Sequence, residues 1–330
     1  MDHGRDSRRG RGSHRRRHPR GRTRRRGPES SEYLSGVHRG GLMRDGKRHI
    51  IQAAAALLTN AHLSGFFTGR IYQGPAKRVC VPGLNCYSCP GALGACPIGS
   101  LQAVIGGRSR NVSYYVTGSI LLVGVLFGRL ICGFLCPFGF LQDLLHKIPS
   151  PKPAVPRRLD RPLRWGKYVS LAAVLLLPAV LTDAYGIGSP FFCKYVCPAG
   201  TLEGGIPLLL SSAALQDAAG WLFTWKAAIL AAVLIASVLI YRPFCKYLCP
   251  LGAIYGLLNR FSVCRMEVDG DRCIHCGVCA RTCRMGVDMT KTPNSAECIR
   301  CGACTSACPT HAIRSGFRAG PCPGAAAKNS

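Results

Sequence analysis

Four copies of one short pattern limit what this chain can fold into. CPIGSL at Cys96, CPFGFL at Cys136, CPAGTL at Cys197 and CPLGAI at Cys249 all read Cys-Pro-x-Gly-x-(Leu or Ile). Each follows an apolar stretch. Residues 112–130 and 220–241 are close to the roughly 20 residues that cross a bilayer. Residues 168–181 are fewer, but Trp165 and Tyr185 flank them like interfacial anchors. Residues 50–67 are interrupted by Gln52, Asn60 and His62. The two weaker stretches also fit buried helices of a soluble domain, although Pro178 in the third is tolerated better in a membrane bundle.

Proline is favoured at the first position of a helix, so each Cys-Pro places its cysteine at the N-cap of a following helix. Free N–H groups and positive potential there suit thiolates and the sulfurs of an anionic cluster. FGFLQDLLHKI after Cys136 and LGAIYGLLNRF after Cys249 have helical apolar spacing and are expected along the membrane surface. In three copies a second cysteine stands four residues earlier: Cys132, Cys193 and Cys245. The first copy instead has Cys86 and Cys89 upstream of Cys96, with Cys80 further back. Arg129 and Arg242 precede Cys132 and Cys245 by three residues, and Lys194 and Lys246 follow Cys193 and Cys245. Such cations offset negative charge.

Charge then orients the stretches. The chain of 330 residues has a net charge of +28, is 48% apolar and holds 20 cysteines, a combination foreign to ordinary soluble domains. Residues 1–48 hold 16 Arg and Lys against 5 Asp and Glu, without apolar periodicity, and read as a disordered, solvated tail that sets topology. RNA or anionic lipid is the other reading of such a tail, and no specific nucleic-acid partner is expected. The tail does not read as a signal peptide, because no small-residue cleavage site follows and the apolar run begins only at Ile50. With the tail inside, the basic residues of 142–167 fall inside as well, and the acidic 182–218 falls outside. The five basic residues of 68–111 oppose this count. Both termini are expected inside.

This topology collects Cys132, Cys136, Cys245 and Cys249 on the inner face and Cys89, Cys96, Cys193 and Cys197 on the outer. Four thiolates hold one [4Fe–4S] cluster, so each face has a candidate set. For the outer set the alternative is disulfide bonding. About 30 Å of hydrocarbon is expected between the two sets.

The C-terminal quarter carries two further runs. CIHCGVCARTC supplies Cys273, Cys276, Cys279 and Cys283, and CIRCGACTSACP supplies Cys298, Cys301, Cys304 and Cys308. This is C-x2-C-x2-C-x3-C twice, the spacing of two [4Fe–4S] clusters in which each fourth cysteine serves the other cluster. The first cluster is expected on Cys273, Cys276, Cys279 and Cys308, and the second on Cys298, Cys301, Cys304 and Cys283. Gly277 and Gly302 let the backbone turn tightly beside them. Zinc sites favour two cysteine pairs instead. Arg284 stands where Pro usually follows the fourth cysteine, and Cys264 and Cys322 fit no pattern.

CX3CP motifs on a multi-pass bundle joined to a tandem ferredoxin resemble the NapH/NosR-type membrane polyferredoxins, over roughly residues 49–313. The stretch VPGLNCYSCPGALGACPIGSLQ looks like a branch of that family. The resemblance implies a bacterial inner-membrane protein that relays electrons between a quinone pool or cytoplasmic donor and a redox partner protein. It departs from NosR in lacking a large extracytoplasmic flavin-binding domain, and from NapH in having more Cys-Pro motifs.

The expected fold is an α-helical integral membrane bundle of about four transmembrane helices, with a C-terminal α+β bacterial-type 2×[4Fe–4S] ferredoxin domain. Residues 1–48 form the tail, 49–262 the membrane domain, 263–313 the ferredoxin domain and 314–330 a second tail. Expected cofactors are two ferredoxin [4Fe–4S] clusters and one or two more at the Cys-Pro motifs. Membrane lipid is an expected partner. Quinone is a candidate, with His62 and Asn60 as its best intramembrane polar site, although helix packing explains them as well. No catalytic triad or nucleotide-binding loop is present, so the chain reads as an electron carrier rather than a stand-alone enzyme. The alternatives are a copper-handling or oxidase-assembly factor, which the 5 methionines do not favour, and a membrane thiol–disulfide relay.

Overall fold

The computed structural model describes residues 46–107, 113–153, 155–217, 220–317 and 320–321. Nearly all of the Arg-rich tail, and Cys322, lie outside the described residues.

Among the described residues two helices are long and apolar enough to cross a membrane, Arg158–Val180 and Trp221–Leu239. Only 17% and 11% of their apolar windows are buried inside the molecule. Val169, Leu176, Val180 and Ile235 point outward instead. A soluble core helix would turn such side chains inward, whereas lipid accepts them on the outside.

The expected count of about four spans is therefore met by two helices of full length. Tyr114–Phe127 is apolar but has 14 residues, and the described part of the first helix covers 46–59. The second stretch ends early because Gly128 turns the chain with φ 54°. A Cβ there would stand 2.4 Å from Asn259 Oδ1. The third runs longer than its apolar residues suggest, since Gly166–Val180 continues back into Arg157–Leu163.

Between these helices lie short ones that begin at the Cys-Pro motifs. Pro97–Ile105, Pro137–Leu145 and Pro250–Leu258 have Cys96, Cys136 and Cys249 as N-caps and proline at the first position. The caps are chemical as well as positional. Cys136 Sγ accepts from the Gly139 amide at 3.4 Å, Cys249 Sγ from Gly252 at 3.3 Å, and Cys197 Sγ from Gly200 at 3.4 Å. Phe138, Gly139, Gln142 and Asp143 of one, and Leu251, Gly252, Ala253 and Tyr255 of the other, are buried. One face of each helix thus packs into the protein, while Leu144 and Leu257 stay exposed.

The C-terminal unit holds a three-stranded antiparallel sheet. β1 (Cys264–Val268) pairs with β2 (Ile313–Phe317), with Val268 opposite Ile313, and β3 (Gly320–Pro321) follows on β2. The expected boundary at residue 313 thus falls on the first residue of a strand, and the unit runs through it. One continuous apolar core extends from Leu84 and Cys96 through Cys136 and Cys249 to Met266, Met289 and Ile313. The ferredoxin unit is therefore packed onto the bundle and not merely tethered to it.

Candidate functional site

The two cysteine runs fold around two cavities. Cys298, Cys301, Cys304 and Cys283 line one of about 30 Å³, and Cys273, Cys276, Cys279 and Cys308 line one of about 20 Å³. Each cavity is thus lined by three cysteines of one run and the fourth of the other. Gly277 and Gly302 adopt left-handed conformations, φ 71° and 79°, at the start of Val278–Thr282 and Ala303–Ser306. Each places a short helix of cysteines along a cavity wall. Burial pushes the Cys298 thiol up to about 12, so without a cation it stays neutral. An iron cluster supplies that positive charge and draws the thiols into thiolates.

The larger cavity faces the bundle. Arg48, Tyr241 and Arg284 complete its wall, and the Arg284 guanidinium lies 5.6 Å from the centre of the Tyr241 ring. Arg284, in place of the usual proline, thus serves docking. The smaller cavity is turned away from the bundle, with Cys276 and Ile274 exposed.

Beneath the larger cavity Cys132, Cys136, Cys245 and Cys249 are all buried. Each of Cys136, Cys245 and Cys249 lies within electrostatic range of the others of this set. Two arginines, both fully buried, cross between the motifs. Arg129 Nη2 donates to the Cys245 carbonyl at 2.9 Å, and Arg242 Nη1 donates to the Cys132 carbonyl. Each arginine precedes one CX3CP motif and binds the first cysteine of the other, a reciprocal exchange that the sequence spacing did not announce. Their counter-ions differ. Arg242 pairs with Asp143 at 2.5 Å, and Arg129 pairs with Glu297 at 2.9 Å. Glu297, also held by Lys167, immediately precedes Cys298 of the larger ferredoxin cavity. Ile299 lies so close to Gly133 that a Cβ there would stand 2.5 Å from its carbonyl oxygen. Asn259 ties the same seam, accepting from the Arg129 amide at 3.1 Å and donating to the Cys298 carbonyl at 3.1 Å.

The second membrane set is built from Cys96, Cys193 and Cys197 with Cys86, not with Cys89. Cys86 and Cys96 lie within electrostatic range of both Cys193 and Cys197. A Cβ on Gly200 would stand 3.7 Å from the Cys197 sulfur and 3.8 Å from that of Cys86. The Cys89 thiol instead turns to Asn60 Oδ1 at 3.6 Å. Cysteine spacing alone does not separate these two residues; the loop's path does. Burial pushes the Cys86 and Cys193 thiols up to about 12. Glu203 Oε2 accepts from the Cys86 amide at 2.6 Å, and Lys226 donates to the Cys193 carbonyl at 3.2 Å. Of the flanking lysines, Lys246 pairs with Asp160 and Lys194 lies over the Tyr195 ring.

The two membrane sets are not separated by a hydrocarbon thickness. The loop before Cys96 folds back into the bundle, fastened where the Val81 amide meets the Ala95 carbonyl at 3.0 Å, and Leu84 and Asn85 are buried at its tip. A Cβ on Gly83 of this loop would stand 2.9 Å from Cys136 Cα, and Tyr255 Oη donates to the Pro82 carbonyl at 2.9 Å, so the loop that carries Cys86 lies against the Cys136 and Cys249 helices.

All sixteen of these cysteines are free of disulfides. Among the described residues no three His, Cys, Asp or Glu side chains converge as the ligands of a single ion would. The donor set of each group is all cysteine, the ligand type that holds a [4Fe–4S] cluster. Cys264 is disulfide-bonded. His62 is used locally, with Nδ1 on the Pro90 carbonyl at 3.0 Å and Nε2 on Ser64 Oγ at 3.2 Å. Asn60 donates to the Ala56 carbonyl at 3.1 Å. Both positions are accounted for by packing.

The model of a 4Fe–4S binding domain matches residues 94–115, 116–156, 169–210 and 215–266, one segment for each Cys-Pro motif. A second 4Fe–4S binding domain matches residues 292–314. The chain is 30% identical over 200 residues to MJ0750 of Methanocaldococcus jannaschii, covering 59% of this chain and 74% of that protein. The chain belongs to the family of ferredoxin-type 4Fe–4S proteins of NapH/NosR type. It is 32% identical over 170 residues to the methylamine utilization ferredoxin-type protein MauN of Paracoccus denitrificans, 49% of this chain and 52% of that one. It is 28% identical over 197 residues to the electron transport protein YccM of Escherichia coli, 58% of this chain and 52% of that one. The chain thus spans about half the length of MauN and YccM. No solved structure matches. The protein carries [4Fe–4S] clusters and serves iron–sulfur electron transfer.

Proposed function

We propose that the chain is a four-cluster electron conduit embedded in a bacterial inner membrane, with both termini on the cytoplasmic side. The observation that carries this reading is the unbroken row of four-cysteine groups. The exposed ferredoxin group adjoins the docked one by exchange of Cys283 and Cys308. The docked group adjoins the Cys132/Cys136/Cys245/Cys249 group through Glu297 and Arg129. That group adjoins Cys86/Cys96/Cys193/Cys197 through the fold-back loop, whose Gly83 lies against Cys136 and whose Pro82 carbonyl accepts from Tyr255 Oη. A bound [4Fe–4S] cluster takes up and gives back single electrons.

The chain's own residues do the rest. Buried cysteines hold the groups in order, the apolar core excludes water, and the two arginines offset negative charge on one membrane group. A cytoplasmic donor meets the exposed Cys276 end of the ferredoxin unit. A redox partner, or quinone in the lipid, meets the Cys86/Cys96/Cys193/Cys197 end. Iron and acid-labile sulfide in the purified full chain test the proposal. About sixteen iron per chain is the expected value; about eight would confine the clusters to the ferredoxin unit and reject the conduit.

A further inference from the structure

The Cys-Pro repeat has a seventh position that faces the sulfurs. Six residues after each Cys-Pro cysteine stand Gln102, Gln142, Glu203 and Tyr255. Almost two helical turns beyond the N-cap, this position lies near the face of the glycine at the fourth. All four residues are polar in otherwise apolar sequences, and Gln102, Gln142 and Tyr255 are at most 1% exposed. Glu203 and Tyr255 hold the folded-back loop: Glu203 accepts from the Cys86 amide, and Tyr255 Oη donates to the Pro82 carbonyl at 2.9 Å.

The two glutamines do something else. Gln142 Oε1 accepts from the Phe244 amide at 3.2 Å, and its Nε2 donates to Cys245 Sγ at 3.1 Å. Gln102 Oε1 accepts from the Cys193 amide at 3.4 Å, and its Nε2 is buried with no partner. In both, a backbone amide next to or at the first cysteine of the facing motif fixes the carbonyl end. An oxygen must sit there, so the –NH2 end is directed to the other side. In one set that side holds a cysteine sulfur; in the other it holds an unsatisfied donor beside a four-cysteine group, which a buried amide does not keep without an acceptor.

We propose that Gln142 and Gln102 are positioning residues, each donating an N–H···S hydrogen bond to the cluster of its membrane set and raising that cluster's reduction potential. The inference rests on the reading that both sets hold clusters. Hydrogen bonds to cluster sulfur favour the reduced, more negative state. Substituting one glutamine therefore moves one potential and leaves the other three in place.

The experiment is an EPR-monitored redox titration of the full-length protein, with iron counted first. The signal lost in Cys136→Ala assigns the Cys132/Cys136/Cys245/Cys249 cluster, and that lost in Cys197→Ala assigns the other. In Gln142→Leu the first midpoint is expected to fall, with the reduced-to-oxidised ratio at a fixed ambient potential lowered about tenfold, as for one hydrogen bond to a charged group. Gln102→Leu is expected to do the same to the second. Gln142→Glu keeps an oxygen for the Phe244 amide while removing the donor, and its midpoint falls as well. Wild-type iron with unmoved midpoints in these variants would overturn the inference, leaving a packing role. Loss of iron from both Gln142 variants would overturn it too, making the residue part of the cage. A wild-type count of about eight iron would instead reject the cluster reading on which it stands.

Discussion

The two membrane cysteine sets share one backbone plan and differ in the charge around it. In both, a Cys-Pro N-cap, a glycine three residues on and a polar seventh position face the sulfurs. Around Cys132, Cys136, Cys245 and Cys249 stand two fully buried arginines, each bound to a cysteine carbonyl. Around Cys86, Cys96, Cys193 and Cys197 stand Glu203 and the partly buried Lys226. In the proposed conduit the repeated scaffold sets where a cluster sits, and the charges that differ between the sets add to the glutamine hydrogen bonds in setting how readily it accepts an electron. Net charge is one of the controls on cluster potential, so the arginine-backed set is expected to have the higher midpoint.

The largest effects test the membership of the sets. Cys249→Ala and Cys86→Ala are each expected to remove about four iron per chain, and Cys89→Ala none. If Cys89→Ala loses iron and Cys86→Ala does not, the second set has been drawn wrongly. Next come the buried ion pairs that only the arginine-backed set possesses. Asp143→Asn takes the carboxylate from Arg242 and Arg48, and Glu297→Gln takes it from Arg129 and Lys167. Each is expected to destabilise the chain by about 3–5 kcal/mol, read from thermal unfolding in detergent. Glu297→Gln should in addition speed amide exchange across 295–300, where the ferredoxin unit meets the bundle. Arg129→Gln should lower the arginine-backed midpoint and narrow its gap to the other; a gap that does not change would break the electrostatic contrast.

The smallest effect concerns Glu203, whose carboxyl is pushed up to about 7 by burial, against a partial opposing effect of the Cys86 amide. An acid raised on folding binds its proton more tightly in the folded state. Its burial penalty is then absent at low pH, grows as pH rises past the ordinary glutamate range and is complete above about 7. Glu203→Gln removes the penalty. The variant should gain on the order of 1–2 kcal/mol over wild type near pH 8 and progressively less toward pH 5. A gain that is constant with pH would mean that folding does not shift the titration of Glu203.

The ferredoxin sites were legible to the residue, because four cysteines at fixed spacing within eleven residues leave the chain few ways to wrap them. The Cys-Pro caps were equally local and equally readable. Three features were not. Cys86 and Cys89 differ by three positions in one loop, and only the fold-back anchored at Val81 and Ala95 decides which faces the set. The reciprocal arginines depend on contacts more than a hundred residues apart in sequence. The length of the third span depends on a polar, helical lead-in at Arg157–Leu163 that an apolar count passes over. Local chemistry shows in sequence; the partner across the bundle does not.

The fold-back loop at Gly83 carries one more consequence. In an energised membrane, voltage acts on a moving charge at about 2.3 kcal/mol per 100 mV of the potential that the charge traverses. In the proposed conduit an electron passing along this loop between the Cys136 and Cys96 groups would cross a share of that field in one step. The redox balance of the two groups would then shift with membrane energisation.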